Sequence, residues 1–319
     1  MKRKISILMI VSVLGMLLLF PDSVSRGARE GLMLWFSVVF PALLPFMIIS
    51  GVIVRMGITS AIGRVIYPFA HKLLHITENG CYPVVIGLLS GYPLGAKTIA
   101  DMCRTESISK REGQYLLAFC NNASPMFMLE YMGIYCMGMK KPYYLMIVVY
   151  ISAFLNALLF RKNLGCCKMR DGYCVTGGNA CPSNRYVRCQ NRSFMEALDD
   201  SILDSFVTLA KVGGYIILFS ILAQLVEELL PLSIPVKVAG LGIIEITTGG
   251  EYLKNFVTDY TQVWIFGAVF CAFGGFSSIA QTASVIQGSG LSVKKYILAK
   301  ACHALFAGVL ALLLGRFIV

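Results

Sequence analysis

The sequence predicts an all-α polytopic membrane protein with two inverted structural repeats that contain re-entrant or broken helices. Of its 319 residues, 57% are hydrophobic and 14% are charged, and the mean hydropathy is +0.72. A soluble domain of this length cannot bury so much apolar surface, whereas a bilayer accepts it. Several stretches approach the roughly 20 apolar residues that cross a hydrocarbon core. Because lipid offers the backbone no hydrogen-bond partner, these long runs indicate helices.

The net charge of +11 would suggest nucleic-acid binding in a soluble protein. Here seven Lys and Arg residues and one Asp fall between Arg161 and Arg192. Such a basic cluster is typical of a cytoplasmic loop, which orients a membrane protein. We therefore expect no nucleic acid partner; a specific anionic partner of this loop is the alternative interpretation.

The basic loop also carries five of the eleven cysteines. They are Cys166, Cys167, Cys174, Cys181 and Cys189. No C-x-x-C pair occurs among them, so the zinc signal is weak, and a cytoplasmic loop keeps thiols reduced. We expect a mobile loop, no cofactor and no bound metal, with a metal or redox role as the alternative.

The N-terminus carries Lys2, Arg3 and Lys4 before the apolar run from Ile5 to Phe20. This pattern fits either a secretory signal or an uncleaved signal-anchor. Because a small-x-small cleavage site is lacking and further spans follow, the sequence favours a signal-anchor helix in residues 1–30 with its N-terminus in the cytoplasm.

The first repeat, together with a connecting span, is predicted to occupy residues 31–160. Its expected elements are a span from Leu32 to Val54, an interfacial helix from Ala61 to Leu74, a broken segment from Cys81 to Met102, a crossing from Gln114 to Met139 that is broken at Asn121–Pro125, and a returning span from Pro142 to Phe160. The run Ser90–Gly95 contains two glycines and a proline, which interrupt a helix. The arms on either side are too short to cross a membrane. We therefore expect a re-entrant hairpin, with one kinked complete span as the alternative.

The second repeat is predicted in residues 201–319, after a basic cytoplasmic loop in residues 161–200. Its expected elements are a span around Phe206 to Leu229, a short segment from Ile234 to Thr247, a broken segment from Val263 to Ile286 and a final span from Tyr296 to Phe317. Similar elements therefore follow one another in the same order in both halves. The expected topology starts the two units from opposite sides of the membrane, which makes the repeat inverted.

Three short sequence matches link the halves at separations of 170 to 184 residues. They pair Gly91–Thr98 with Gly275–Thr282, Ile76–Gly80 with Ile246–Gly250, and Cys120–Asn121 with Cys302–His303. Paired broken helices in inverted repeats point to the binding site of a secondary transporter. The interruptions expose N–H and C=O groups at membrane depth, where they require water, protein or a solute. The breaks at Gly91 and Gly275 should therefore lie close together.

Small and polar residues at and beside the interruptions are the predicted substrate-binding residues. They are Ser90, Gly91, Tyr92, Gly95, Lys97, Asn121, Asn122, Ser124, Gly275, Ser277, Ser278 and Gln281. Asn121 and Asn122 either bind a neutral polar ligand or satisfy backbone groups that Pro125 frees. Lys97 either binds an anionic group or a proton, or pairs with Asp101 one helical turn away.

Glu245 and His303 are predicted as possible coupling residues. A carboxylate near membrane depth is a functional-site hypothesis by default, although an interfacial Glu in water is equally consistent with this position. His303 could relay protons, but a hydrogen bond between helices is the more usual role of such a residue.

Three motifs carry a resemblance to a known family. They are the run Gly31–Phe46, the run Ser90–Lys97 with sequence S-G-Y-P-L-G-A-K, and the run Phe119–Pro125 with sequence F-C-N-N-A-S-P. From about residue 30 onward the chain resembles the YlbJ family of sporulation integral membrane proteins. That family carries the nucleoside recognition Gate domain found also in concentrative nucleoside transporters. The five loop cysteines depart from the family pattern.

The resemblance implies an endospore-forming bacterium, a mother-cell or forespore membrane and a role in forming the spore cortex. It also implies that hairpin tips and broken helices hold a ligand, at Ser90–Gly95, Asn121–Pro125 and Gly274–Gln281. We therefore expect a secondary transporter of a small polar solute, such as a nucleoside-like compound. The alternative is a non-transporting membrane scaffold of the developing spore.

No short nucleotide-binding or catalytic motif occurs in the sequence, so we expect no enzyme. Membrane-embedded catalysis can lack short motifs, however, and it stays an open alternative. The expected partners are the lipid bilayer and the solute, and a homo-oligomer is left open.

Overall fold

The computed structural model describes most of the chain. The described residues are 11, 14–56, 58–161, 169–170, 173–176, 179–180, 193–231 and 233–318. The signal-anchor prediction falls largely on residues outside this set. So do Cys166, Cys167, Cys181 and Cys189, whereas Cys174 lies in a described strand.

The described chain is almost entirely helical. Its helices are α1 (Pro21–Leu34), π1 (Trp35–Val39), α2 (Phe40–Arg55), α3 (Thr59–Leu74), α4 (Glu78–Ser90), α5 (Leu94–Arg104), α6 (Lys110–Phe119), π2 (Phe127–Cys136), α7 (Tyr143–Arg161), α8 (Phe194–Leu229), α9 (Ile234–Ile244), α10 (Ile246–Phe256), α11 (Tyr260–Phe273), α12 (Gly275–Val285) and α13 (Val293–Ile318). Between α7 and α8 lie the short antiparallel strands β1 (Met169–Arg170), β2 (Tyr173–Thr176) and β3 (Asn179–Ala180).

Among the described helical segments, four are long and apolar enough to cross a membrane. They are Tyr143–Arg161, Phe194–Leu229, Tyr260–Val285 and Val293–Gly315. Their number and their helical character confirm an all-α polytopic membrane protein.

Two long helical segments, which we call rods, pack against each other in the bundle. The first rod is α1–π1–α2, which stays helical across both junctions and so extends further toward the N-terminus than the span predicted from Leu32. The second rod is α8, which begins with a capping box between Ser193 and Glu196. The rods run antiparallel, because Arg26 pairs with Glu228 at one end and Arg55 pairs with Asp204 at the other.

The first predicted break is a hairpin made by α4 and α5. Its turn begins at Gly91, where φ is +72°, a left-handed conformation that favours glycine. The arms are in backbone contact, since a Cβ at Gly95 would lie 3.0 Å from the Gly87 Cα. The open ends also meet, because Asn79 Nδ2 donates to the Ser107 carbonyl at 3.1 Å. The chain therefore leaves on the side where it entered, and the alternative of one kinked span is wrong.

A second hairpin is made by α9 and α10, with Glu245 at its tip. The arms touch so closely that a Cβ at Gly249 would lie 2.3 Å from the Gly242 Cα. The prediction of a short segment ending at Thr247 captured only the first arm. The second arm went unrecognised because its Thr, Gly, Lys and Asn residues give it little apolar character.

The two hairpins lie at opposite ends of α8. Lys97 of the first hairpin contacts Asp204 at 2.9 Å, and Lys237 of the second donates to the Glu227 carbonyl at 2.7 Å. Asp204 and Glu227 are about 35 Å apart along α8 at 1.5 Å per residue. We call the Asp204 end the first-hairpin side and the Glu227 end the second-hairpin side.

Each hairpin is followed by an interrupted segment that passes through the bundle. The segment α6–π2 breaks at Asn121–Ser124, as the sequence predicts. The segment α11–α12 breaks at Gly274 and Gly275, where φ is +82° and +76°. Arg104 Nη2 donates to the Val285 carbonyl at 2.8 Å, so α12 ends on the first-hairpin side.

The two glycine motifs that pair across the halves lie in different kinds of element. Gly91 lies at a hairpin tip, whereas Gly275 lies in the break of a through-going segment. By order of elements, the tip at Gly91 corresponds to the tip at Glu245, and the break at Asn121–Ser124 corresponds to that at Gly274. The two glycine motifs look alike because both turns require a left-handed backbone.

Candidate functional site

The two hairpin tips and the two helix breaks meet at one place in the bundle. The Tyr92 N–H donates to the Asn122 carbonyl at 2.7 Å, which joins the first tip to the first break. A Cβ at Gly274 would lie 3.4 Å from a Tyr92 ring carbon, and one at Gly275 would lie 3.5 Å from the Glu245 Cα. The predicted approach of the Gly91 and Gly275 breaks is therefore confirmed.

A cavity of about 560 Å³ opens beside this meeting point. Both tips, both breaks and the middle of the two long rods contribute to its wall. The polar and acidic lining residues are Ser37, Tyr92, Ser124, Glu130, Tyr131, Tyr135, Glu245, Thr247, Ser277, Ser278 and Gln281. The apolar lining comes mainly from π1, α2 and π2, including Val39, Leu43, Phe46, Met126 and Phe127. Its size suits a small organic molecule.

The break at Gly274 gives the cavity a neutral polar surface. Ser277, Ser278 and Gln281 all lie in the first two turns of α12 and line the cavity. Gln281 Nε2 donates to Ser277 Oγ at 3.1 Å, and Ser278 Oγ donates to the Gly275 carbonyl at 3.0 Å. The Gln281 Oε1 atom accepts no hydrogen bond from another described residue, so it remains available to a ligand.

Glu245 caps the second arm of its hairpin from within the cavity wall. Its Oε2 accepts the N–H groups of Thr247 at 2.9 Å and Thr248 at 2.8 Å. It also accepts both threonine hydroxyls. These donors and the positive end of the α10 dipole stabilise the ionised carboxylate. The residue is only 2% exposed, so the solvated interfacial interpretation is wrong.

An aromatic ladder lines the cavity on the side of π2. The rings of Phe127 and Tyr131 stack at 5.1 Å between centroids, and those of Tyr131 and Tyr135 stack at 5.6 Å. The Lys254 ammonium lies 3.5 Å from the Tyr135 ring centroid. The outer end of the ladder therefore already receives a cation on a ring face.

Asn121 lies behind the cavity wall and not in it. Its Oδ1 accepts the Ala96 N–H at 3.2 Å, while Nδ2 donates to Thr282 Oγ1 at 2.9 Å and to the Tyr296 hydroxyl at 2.8 Å. The side chain thus ties the first hairpin to α12 and α13. This arrangement favours the interpretation in which Asn121 satisfies groups freed by the interruptions.

Of the remaining predicted residues in the first half, one lines the cavity and the others lie behind its wall. Ser124 lines the cavity and caps the start of the following helix through Phe127 N–H at 3.3 Å. Asn122 and Ser90 are buried near the cavity but do not line it, and Asn122 Nδ2 donates to the Phe119 carbonyl at 2.7 Å. Gly91 and Gly95 allow close approach, because Cβ atoms there would meet the backbone of Ser124 and Cys120 at 2.5 and 2.9 Å.

Lys97 belongs to an ion-pair cluster outside the cavity lining. Its Nζ lies 2.9 Å from Asp204 Oδ2 and 3.4 Å from Asp101 Oδ2. Arg55 also reaches Asp204, and Arg104 reaches Asp101. The cluster fastens the first hairpin to α8. The predicted alternative of a pair with Asp101 is present, but the shorter contact to Asp204 joins residues 107 positions apart and could not be predicted.

Replacing Lys97 is expected to weaken the fold only moderately. In Lys97→Met, Asp204 keeps Arg55 and Asp101 keeps Arg104, so neither carboxylate loses all its partners. Because Asp204 is 44% exposed, we expect a loss of about 1 kcal/mol in the free energy of unfolding. Thermal unfolding followed by the fluorescence of Trp35 and Trp264 measures it. Lys211→Met, at an exposed position of the same helix α8, serves as the control, and an equal effect of both variants would contradict the stabilising role.

His303 and Lys300 lie on α13 behind the first break. His303 is fully buried, and its Nε2 lies 3.1 Å from the Val149 carbonyl, which is the predicted hydrogen bond between helices. Lys300 is 1% exposed, and its Nζ donates to the Asn121 carbonyl at 3.2 Å. Lys300 thus donates a hydrogen bond to a backbone carbonyl that the helix break leaves without a helical partner. Neither side chain lines the cavity.

Sequence reasoning missed the wall formed by the long rods and by π2. Leu34, Phe46, Tyr131 and Tyr135 look like ordinary lipid-facing residues in a hydrophobic helix. A signal was available in Phe127, Tyr131 and Tyr135, whose spacing of four residues places aromatic rings on one helix face. Glu130 lies exposed at the cavity wall.

The fold and the site define an all-α polytopic membrane protein. Its helix interruptions converge on a cavity that they line with polar residues. The chain is similar to the sporulation integral membrane protein YlbJ of Bacillus subtilis (strain 168). The two are 25% identical over 324 residues, which cover 93% of this chain and 78% of the relative. No family model matches the chain, and no solved structure matches it either.

Proposed function

We propose that this protein is a sporulation-associated secondary transporter that carries a small polar solute, such as a nucleoside-like compound, through its central cavity. The convergence of two hairpin tips and two helix breaks on one cavity carries the proposal. Each interruption exposes backbone groups that a solute can bind. The sporulation role rests on the similarity to the Bacillus subtilis protein, whose name describes a sporulation membrane protein.

An inverted repeat would give this cavity alternating access. The order of rod, hairpin, interrupted segment and final helix occurs twice, with α3 as an addition in the first half. The hairpins contact opposite ends of α8, which supports opposite orientations of the two halves. Movement of one half against the other would then open the cavity first to one side and then to the other.

The proposal is tested by uptake of radiolabelled uridine and adenosine into proteoliposomes, with proton and sodium gradients imposed in turn. In Gln281→Ala the cavity loses an amide that has a free acceptor, and we expect the initial rate to fall about tenfold. Ser289→Ala is the matched control, since Ser289 is buried and bonds only its own turn outside the cavity lining. Equal rates in both variants, or no uptake above protein-free liposomes, would contradict the proposal.

The scaffold alternative makes a different prediction in sporulating cells. A scaffold would tolerate Gln281→Ala and Ser277→Ala, because these side chains face a cavity and hold no other helix. It would instead depend on the basic loop at residues 161–200. Complementation of a deletion strain by cavity variants and by a loop deletion separates the two functions.

A further inference from the structure

We infer that the cavity selects a solute that carries a positively charged amine, which pairs with Glu245. This inference deepens the proposed function, on which it rests, by naming the charge class of the solute. It depends on three features of the cavity: an uncompensated carboxylate, a lining without cationic side chains, and aromatic walls.

The Glu245 carboxylate has one oxygen occupied and one free. All four hydrogen bonds from Thr247 and Thr248 go to Oε2. Oε1 has no hydrogen-bond donor among the described residues, although Glu245 is 2% exposed and lines the cavity. The cap donors fix the carboxylate in position and offset part of the cost of burying its charge, so its second oxygen is left facing the cavity as a hydrogen-bond acceptor for an ammonium group.

The cavity lining supplies no counter-charge to this carboxylate. Among the described residues that line it there is no Lys, Arg or His, while Glu130 adds a second carboxylate. Glu245 also forms no ion pair with any described residue. A buried carboxylate without a cation is costly, and a bound ammonium would remove that cost. An anionic solute would instead be repelled.

The aromatic walls suit the same ligand charge. Tyr92 at the first hairpin tip and the ladder of Phe127, Tyr131 and Tyr135 line the same cavity as Glu245. Ring faces attract ammonium groups, as the Lys254 ammonium over Tyr135 illustrates at the outer end of the ladder. An ammonium group bound at Glu245 would therefore lie in a cavity with aromatic walls.

Three probes of nearly one shape isolate the charge preference. Benzylamine is a cation at neutral pH, benzyl alcohol is neutral and benzoate is an anion. Binding is measured by isothermal titration calorimetry on the full chain in lipid nanodiscs. We expect benzylamine to bind at least about tenfold more tightly than benzyl alcohol, and benzoate not to bind. Equal or tighter binding of benzyl alcohol, or no binding of benzylamine, would overturn the inference.

Glu245→Gln tests whether this carboxylate is responsible. The amide oxygen of Gln can still accept the threonine N–H groups, so the hairpin cap is retained. We expect the affinity for benzylamine to fall about tenfold and that for benzyl alcohol to change less than about twofold. Glu130→Gln is the matched control, with an expected loss of less than about threefold, because its exposed charge is screened. An unchanged charge preference in Glu245→Gln would refute the assignment.

The outcomes separate this inference from the proposed function. Uptake of uridine without any preference for benzylamine leaves the transport proposal standing and removes the inference. A preference for benzylamine that depends on Glu245, without uptake of radiolabelled uridine, adenosine or benzylamine, leaves the inference standing and removes transport.

Discussion

Gly87→Ala is expected to prevent the first hairpin from docking and to lower the free energy of unfolding by more than about 3 kcal/mol. Gly87 lies in α4, one turn before the tip. A Cβ at this position would lie 1.9 Å from the Cys120 carbonyl oxygen and 2.9 Å from the Cys120 carbonyl carbon. Both atoms belong to backbone and not to a flexible side chain. The whole arm must therefore move away from the first break.

The measurement is the midpoint of thermal unfolding in detergent, followed by tryptophan fluorescence, together with the yield of monodisperse protein. Gly214→Ala in α8 is the control, because a Cβ there meets nothing within 4 Å. Its higher helix propensity should leave the free energy of unfolding unchanged or raise it by up to about 1 kcal/mol. A Gly87→Ala protein that unfolds at the temperature of the unaltered protein would show that the hairpin does not pack on the break as described.

Local sequence signals predicted the interruptions but not their arrangement. Gly91 and Pro93 lie two residues apart, and a polar run precedes Pro125; each combination favours a helix end more strongly than a single glycine or proline does. Those signals therefore predict where helices end without any tertiary information. The second hairpin was only half predicted, because the tip at Glu245 contains neither glycine nor proline. A charged cap residue produced the chain reversal there.

Which side chains line the cavity is decided by contacts between residues far apart in the sequence, and no local sequence pattern contains that information. Ser124, Ser277, Ser278 and Gln281 were predicted and do line the cavity, because each lies within an interruption or in the first two turns after one. Lys97 is equally close in sequence to an interruption, yet it points toward Asp204 of α8. Which face of a helix meets a cavity is decided by packing against distant helices.

Asn121→Ala is expected to lower the free energy of unfolding by about 2–4 kcal/mol, because it removes three hydrogen bonds and leaves their partners buried. The partners are the Ala96 N–H, Thr282 Oγ1 and the Tyr296 hydroxyl. These groups come from three different elements, α5, α12 and α13. Only the Thr282 and Tyr296 hydroxyls can partly compensate by bonding to each other, since they already lie 3.5 Å apart.

The neighbouring variant Asn122→Ala provides the matched control for this prediction. Asn122 is equally buried, but it gives one hydrogen bond, to the Phe119 carbonyl in its own turn. Its loss should therefore cost about 1 kcal/mol. Unfolding midpoints of both variants, measured beside uptake rates normalised to folded protein, test the comparison. If Asn121→Ala abolishes uptake while its unfolding midpoint stays unchanged, Asn121 acts on the solute and the stabilising role is wrong.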